Sequence, residues 1–386
     1  MSEIQFVDSV TELDILCQKM QHEPWLAIDT EFLREKTYYP KFCLLQIATL
    51  EWVACVDPIA LEGQMSELFE IINNPNIIKV LHSCRQDVEI FYQLTGKLPA
   101  PVYDTQLVAP LLGLQENPGY AMLVSGFLNI NLSKIHTRTD WSQRPLSADQ
   151  MKYAADDVIY LAKIYQMMEE QLQKLGRENW LKEDFEQLMN PDLYDIPPAN
   201  AWLKIRGKNK LTGKQLVIVQ ALAEWREKVA KKDDRPKNWI LRDELILDMA
   251  KLQPVNIKEL SEIRSINDGF VRRSGQQVCA LIKAAQGKPG LKLKAKENSV
   301  KKTVKQEAVL DVLSAVVRLR AEENALNPII LATRKDLEAL LFDEPGSLLL
   351  HGWRYSMVGK ELQGLLQGQF TISVNKNDLT LHAQEV

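Results

Sequence analysis

Two acidic residues interrupt the apolar segment WLAIDTEF at residues 25–32. Asp29 and Glu31 stand two positions apart in it. On a strand, side chains at i and i+2 project to the same face. Two carboxylates facing one way from an apolar strand are costly unless cations or ion partners offset them. The segment therefore reads as a central strand with one charged, functional or salt-bridged face. A D-x-E pair alone is a weak sign, because it occurs by chance in most proteins.

Strand and helix signals alternate around this segment. FCLLQIATL (42–50) and WVACVDP (52–58) are separated by Glu51 alone and read as an antiparallel pair with a tight turn. NIIKVLHS (76–83) is a second apolar strand, followed by a helix from about residue 85 to 94. VYDT (102–105) is a short strand running into the helix DTQLVAPLLG. Residues 146–176 form one long amphipathic helix with a possible capping box of Ser147 and Gln150. TELDILCQKM has helical spacing, with Thr11 as its expected cap. This interleaving implies an α/β layer fold with a mixed sheet.

After about residue 190 strand signals vanish. DLYDIPPAN (192–200) is a Pro-rich linker, and GKPGLKLKAKENSVKKTVK (287–305) reads as a flexible connection. Two helical blocks flank the latter. Arg226, Pro236, Arg242 and Leu245 recur 92 residues later as Arg318, Pro328, Arg334 and Leu337. Gly275, Val278, Leu281 and Ile282 recur 84 residues later as Gly359, Leu362, Leu365 and Leu366. The shared Pro and Gly positions point to a duplication.

With 386 residues the chain is too long for one ordinary core. No apolar run approaches the roughly 20 residues that span a bilayer. No secretory signal is visible at the N-terminus. The five cysteines are scattered without a CxxC pair, which argues against a zinc ribbon or disulfide framework and for a reduced, cytoplasmic setting. The net charge of −4 hides an asymmetry. Residues 201–305 carry 25 Lys+Arg against 11 Asp+Glu, and the remainder 22 against 40. So basic a block suits phosphate binding, although solvated helix faces account for it equally well. Lys204, Arg206, Lys208 and Lys210 form an alternating run within it.

Further candidate site residues lie at element ends. Asp87 follows the strand 76–83, and strand ends collect sites in open α/β sheets; a first-turn helix acid is the alternative. His82 occupies the strand end and is either a structural residue or a phosphate contact. Tyr153 and Asp157 are i and i+4 on the long helix and share a face, with Asp156 a rival to Asp157. Four carboxylates are hard oxygen ligands suited to Mg²⁺ or Mn²⁺, and such a set can hold two ions for in-line attack on a phosphodiester.

The order D-x-E, a distal D, then Y-x-x-x-D resembles the DEDDy class of 3′→5′ exonucleases. AIDTEFLREKTYYPKFCLLQIA, VLHSCRQDVEIF, VYDTQLVAPLLG and DWSQRPLSADQMKYAADDVIYL resemble bacterial ribonuclease D more narrowly, and the helical blocks resemble HRDC domains. The resemblance implies an RNase H-like α/β exonuclease domain (1–195), a first HRDC domain (208–289) and a divergent HRDC-like domain (303–386). It implies that Asp29, Glu31, Asp87 and Asp157 ligate two divalent ions, Mg²⁺ or Mn²⁺, and that Tyr153 orients the attacking water. The i+4 spacing of the family motif selects Asp157 over Asp156. The expected activity is hydrolysis of RNA from its 3′ end to nucleoside 5′-monophosphates. Expected substrates are tRNA precursors and other small structured RNAs, with no membrane and no obligate protein partner. Phe32 is the leading candidate to stack a base; Gln46, His82 and Trp141 are weaker candidates for substrate contact. A DNA-directed exonuclease and an inactive RNA-binding scaffold are the competing readings. The scaffold would need a missing ligand, and all four are present. A chain ending near residue 205 is expected to keep hydrolysis of short oligonucleotides.

Overall fold

The structure is a computed structural model that describes residues 3–132, 139–292, 302–344, 346–376 and 378–384. The connection expected at 287–305 lies partly outside the described residues, over 293–301. The chain divides into two units. One comprises residues 1–31, 43–189 and 301–386, and the other 32–42 and 190–300.

The first unit is built on a six-stranded mixed sheet. Its strands are β1 (Ile4–Val7), β2 (Trp25–Leu33), β3 (Lys41–Ala48), β4 (Val53–Val56), β5 (Ile78–Leu81) and β6 (Val102–Asp104), in the order β1-β4-β3-β2-β5-β6. β3 and β4 pair antiparallel with Ala48 opposite Val53, as their spacing predicts. β1–β4, β2–β5 and β5–β6 are parallel. Phe42–Ala48 is buried without interruption, because β3 is interior and loses both faces to packing.

Helices α1 (Val10–Met20), α2 (Ser66–Ile72), α3 (Arg85–Thr95), α4 (Thr105–Val108), α5 (Tyr120–Leu128), α6 (Ala148–Leu175) and α7 (Lys182–Leu188) complete the nuclease part. α6 begins with the expected capping box, Ser147 with Gln150, and stops at Gly176 in the left-handed conformation. The cap of α1 is Ser9 and not Thr11; the helix begins at Val10.

In the second unit, α8 (Gly213–Lys232), α9 (Lys237–Ile240), α10 (Asp243–Leu252), α11 (Ile257–Ser261) and α12 (Asp268–Gln286) enclose a separate core around Val219, Leu222, Ile246 and Val278. Segment 32–42 belongs to this unit. The amides of Tyr38 and Tyr39 both donate to Asp234 at 3.0 Å, and the Tyr38 hydroxyl donates to Glu227 at 2.6 Å.

The C-terminal block repeats this succession within the first unit as α13 (Val304–Glu323), α14 (Pro328–Leu331) and α15 (Arg334–Leu341), then α16 (Gly352–Arg354) and α17 (Lys360–Leu366). Its register corrects the spacing read from sequence. The capping boxes Thr212/Gln215 and Thr303/Gln306 are 91 residues apart, not 92. At that offset buried Leu222 matches buried Leu313, and buried Ile246 matches buried Leu337. Arg318 therefore has no buried counterpart role: it is exposed, whereas Arg226 is buried and bonds Leu241 and Asp243. Gly275 and Gly359 are both tight approaches; a Cβ at Gly359 would lie 1.9 Å from the Leu349 carbonyl oxygen.

Two further findings depart from the sequence reading. A hairpin of β7 (Phe370–Asn375) and β8 (Asp378–Ala383) closes the chain, so strands do not end near residue 190. The C-terminal block also joins the nuclease unit through backbone. Asn327 N–H donates to the Pro110 carbonyl at 3.1 Å, its Nδ2 donates to the Leu114 carbonyl at 2.9 Å, and Arg177 bonds the carbonyls of Leu111 and Asn324. Trp180 and Trp353 stack at 4.4 Å. A chain ending near residue 205 would lose these partners.

Candidate active site

β2 delivers Asp29 and Glu31, α3 delivers Asp87 in its first turn, and α6 delivers Tyr153 and Asp157. Asp29, Glu31 and Asp157 each place a carboxylate oxygen within 4.8 Å of the other two. That spread is close to the ~4.2 Å between opposite oxygens around a Mg²⁺ ion with ~2.1 Å bonds. Burial pushes the Asp29 carboxyl up to about 6. Burial, then Asp29 and Asp156, lifts Asp157 to about 8. Burial, then Asp29, Asp157 and Asp87, lifts Glu31 to about 9. Among the described residues no lysine or arginine counters these shifts. A half-buried set of acids that converges on one point, with no lysine or arginine acting on it among the described residues, fits a divalent metal.

Asp87 stands outside this trio. Its Oδ1 accepts from the Thr30 hydroxyl at 2.5 Å. It remains electrostatically part of the group, since burial and then Asp29 raise it well above the usual range. The α3 turn that carries it is fixed by Asp104, whose two oxygens accept from the amides of Ser83 and Cys84 at 2.9 Å each. Ser83 takes a φ of 58° there, which turns the chain from strand into helix. Thr30 and Asp104 were not singled out in the sequence. Thr30 is flanked by the motif acids, and Asp104 lies in the quoted VYDT segment, but nothing in the spacing marks either.

Tyr153 lies beside the trio. Burial, then Asp157, Glu31 and Asp29, raises its phenol, so it stays protonated. Asp156 pairs with Lys152 one turn away. Asp157 is the one of the two that groups with Asp29 and Glu31.

The four candidates for substrate contact are placed differently. Trp141 is buried, with its ring 6.1 Å from that of Tyr153; it backs the phenol rather than offering a face to a base. Gln46 is fully buried in β3, with both side-chain polar atoms unpartnered among the described residues, so it faces no open site. His82 Nδ1 is hydrogen-bonded with Thr105 Oγ1 at 3.0 Å, and the Pro118 carbonyl also engages its ring. Burial lowers its pKa, a structural setting. Phe32 follows Glu31 on β2 and is half-buried. Of the basic run 204–210, Lys208 folds back onto the carbonyls of Leu203 and Ile205, while Arg206 and Lys210 are exposed.

Comparisons with known proteins place the chain in a family. The family model for the 3′-5′ exonuclease matches residues 4–173, and that for the HRDC domain matches residues 215–282. Ribonuclease D of Zymomonas mobilis is 35% identical over 378 residues, covering 97% of this chain and 96% of its own. Ribonuclease D of Granulibacter bethesdensis is 33% identical over 373 residues, covering 96% and 94%. The chain belongs to the ribonuclease D family. It is accordingly a 3′–5′ exoribonuclease with a mixed-sheet nuclease domain and a following HRDC domain. The crystal structure of Escherichia coli RNase D, described as an exoribonuclease involved in structured RNA processing, superposes with a TM-score of 0.77. It is 29% identical and covers 95% of this chain and 99% of that one. Among the described residues no helix is long and apolar enough to cross a membrane.

Proposed function

We propose that this chain trims the 3′ ends of structured RNAs, tRNA precursors among them, in the cytoplasm, and releases nucleoside 5′-monophosphates. The observation that carries the reading is the convergence of Asp29, Glu31 and Asp157 within 4.8 Å beside a protonated Tyr153. Asp29, Glu31, Asp87 and Asp157 hold two divalent ions, Mg²⁺ or Mn²⁺. Bound there, the ions supply Lewis acidity to the attacking water and to the leaving 3′-oxygen. Asp157 would hold the metal that serves the water, Glu31 and Asp87 would hold the one that serves the leaving oxygen, and Asp29 would contribute to both. The Tyr153 phenol keeps its proton and orients the water by hydrogen bond. Phe32 stacks a terminal base. The segments 1–195, 208–289 and 303–386 act as nuclease, first HRDC domain and HRDC-like block. Exposed basic residues such as Arg206 and Lys210 engage RNA phosphates.

The test is a tRNA precursor with a 3′ extension, labelled at its 3′ end, incubated with and without Mg²⁺ and beside a single-stranded DNA of equal length. Release of labelled mononucleotide from the RNA, abolished by EDTA and by Asp29→Asn, is expected. Wild-type turnover by Asp29→Asn, or release of internal fragments, overturns the reading. Faster digestion of the DNA overturns the choice of substrate.

A further inference from the structure

Tyr120 belongs to none of the three acidic motifs, yet it reaches the metal-ligand helix at the residue that matters. It is the first residue of α5, and its hydroxyl donates to the main-chain carbonyl of Asp157. The Leu161 N–H faces the same phenol closely enough to act against its raised pKa. In a regular α-helix the Leu161 N–H would bond the Asp157 carbonyl directly. The phenol thus engages the acceptor end of the rung of α6 that starts at Asp157.

The ring is fixed from behind. It packs on His82 at 5.4 Å, tilted by 52°. His82 is held by Thr105 and engages the Pro118 carbonyl, which also accepts from Gln106 Nε2 at 3.1 Å. The turn feeding Tyr120 is therefore anchored at the ends of β5 and β6, the strand ends that also carry the α3 turn of Asp87. Asp157 and Asp29 lie near enough for their charges to act on the phenol, after burial, and keep it protonated as a donor.

We propose that Tyr120 is a positioning residue that sets the peptide of Asp157, and through it the direction of the Asp157 carboxylate toward Asp29 and Glu31. The proposal rests on the reading of that cluster as a metal site. Outer partners of metal ligands commonly account for 10–100-fold in metal affinity.

The experiment is calorimetric titration of the metal-free full-length protein with Mn²⁺, for wild type, Tyr120→Phe, Asp157→Asn and Tyr165→Phe. Tyr165 is a control: a buried phenol on the same helix, shifted by burial and Glu169 and by none of the four acids. Tyr120→Phe is expected to weaken Mn²⁺ binding about tenfold or more, Tyr165→Phe to stay within about twofold of wild type, and Asp157→Asn to lose the site. Saturating Mn²⁺ should return Tyr120→Phe to the wild-type kcat with unchanged KM for RNA, because the residue touches no substrate. Tyr120→Phe binding Mn²⁺ like wild type, or failing to recover at saturation, overturns the positioning role and leaves the metal site standing. No Mn²⁺ binding by wild type, or full binding by Asp157→Asn, overturns the metal reading itself.

Discussion

Arg144→Met should cost the nuclease unit about 3–5 kcal/mol, the penalty for stripping one partner from a buried ion pair. Asp57 directly follows β4 and is almost wholly buried. It accepts from Arg144 Nε at 2.5 Å and Nη2 at 2.7 Å, and from the amides of Ile59 and Ala60. The same guanidinium donates to the carbonyls of Cys43 at 2.6 Å and of Trp141 and Gln143 at 2.8 Å each. Methionine keeps the aliphatic stem, leaves Asp57 with two amide donors, and takes the guanidinium away from three carbonyls. The pH dependence has a definite sign. Arg144 holds Asp57 below the usual carboxylate range, against burial, which acts the other way. A depressed folded pKa stabilises above the unfolded value near 4 and loses that contribution as pH falls through the folded one. In Arg144→Met, burial is opposed only by the amides of Ile59 and Ala60, so Asp57 rises and takes a proton on acidification. Urea denaturation at pH 7 and pH 4 should therefore show a large penalty at pH 7 that shrinks at pH 4. Because Arg144 fixes the loop bearing Trp141, which backs Tyr153, kcat should fall with stability. A penalty below about 1 kcal/mol, or one equal at both pH values, would refute the reasoning.

Glu31→Gln should raise the melting temperature of the metal-free protein at pH 8. Glu31 is lifted to about 9, and an acid raised on folding costs stability as pH climbs above the unfolded value near 4; heat denaturation in EDTA should show the gain disappear near pH 4. Thr30→Val removes the donor to Asp87 and should lower kcat more than tenfold at limiting Mg²⁺ while shifting the melting temperature by only a few degrees, roughly the value of one hydrogen bond; steady-state kinetics across Mg²⁺ concentrations would check it. A chain ended at residue 292 lacks the block that bonds Pro110, Leu111 and Leu114. It should melt earlier than the full chain and digest even short oligonucleotides poorly, whereas full activity on those substrates would count against the packing described.

What the sequence disclosed was periodic or local. The D-x-E pair is legible because a strand has period two, and Tyr153 with Asp157 because a helix brings i and i+4 together. The capping box of α6 is likewise a pattern four residues long. The supports of the site are of another kind. Asp57 and Arg144 are 87 residues apart, Thr30 and Asp87 are 57 apart, and Tyr120 and Asp157 are 37 apart; no periodicity links such pairs, and each becomes visible only once the sheet order is known. The same limit explains the slip in the duplication. Matching Arg, Pro and Leu by identity favoured 92 residues, but helices repeat by which face is buried, and burial together with the Thr-x-x-Gln caps selects 91. The hairpin at 370–383 carried its alternation openly, as FTISVN and DLTLHA, and was overridden by the helical pattern before it. Motif chemistry is therefore readable before the fold, while the groups that aim it are properties of tertiary contact. This is why Gln46 and Trp141, chosen for residue type near the motifs, fall inside the protein, and His82 is half-buried against Thr105: polar or aromatic side chains beside an active site are as often its scaffolding as its lining.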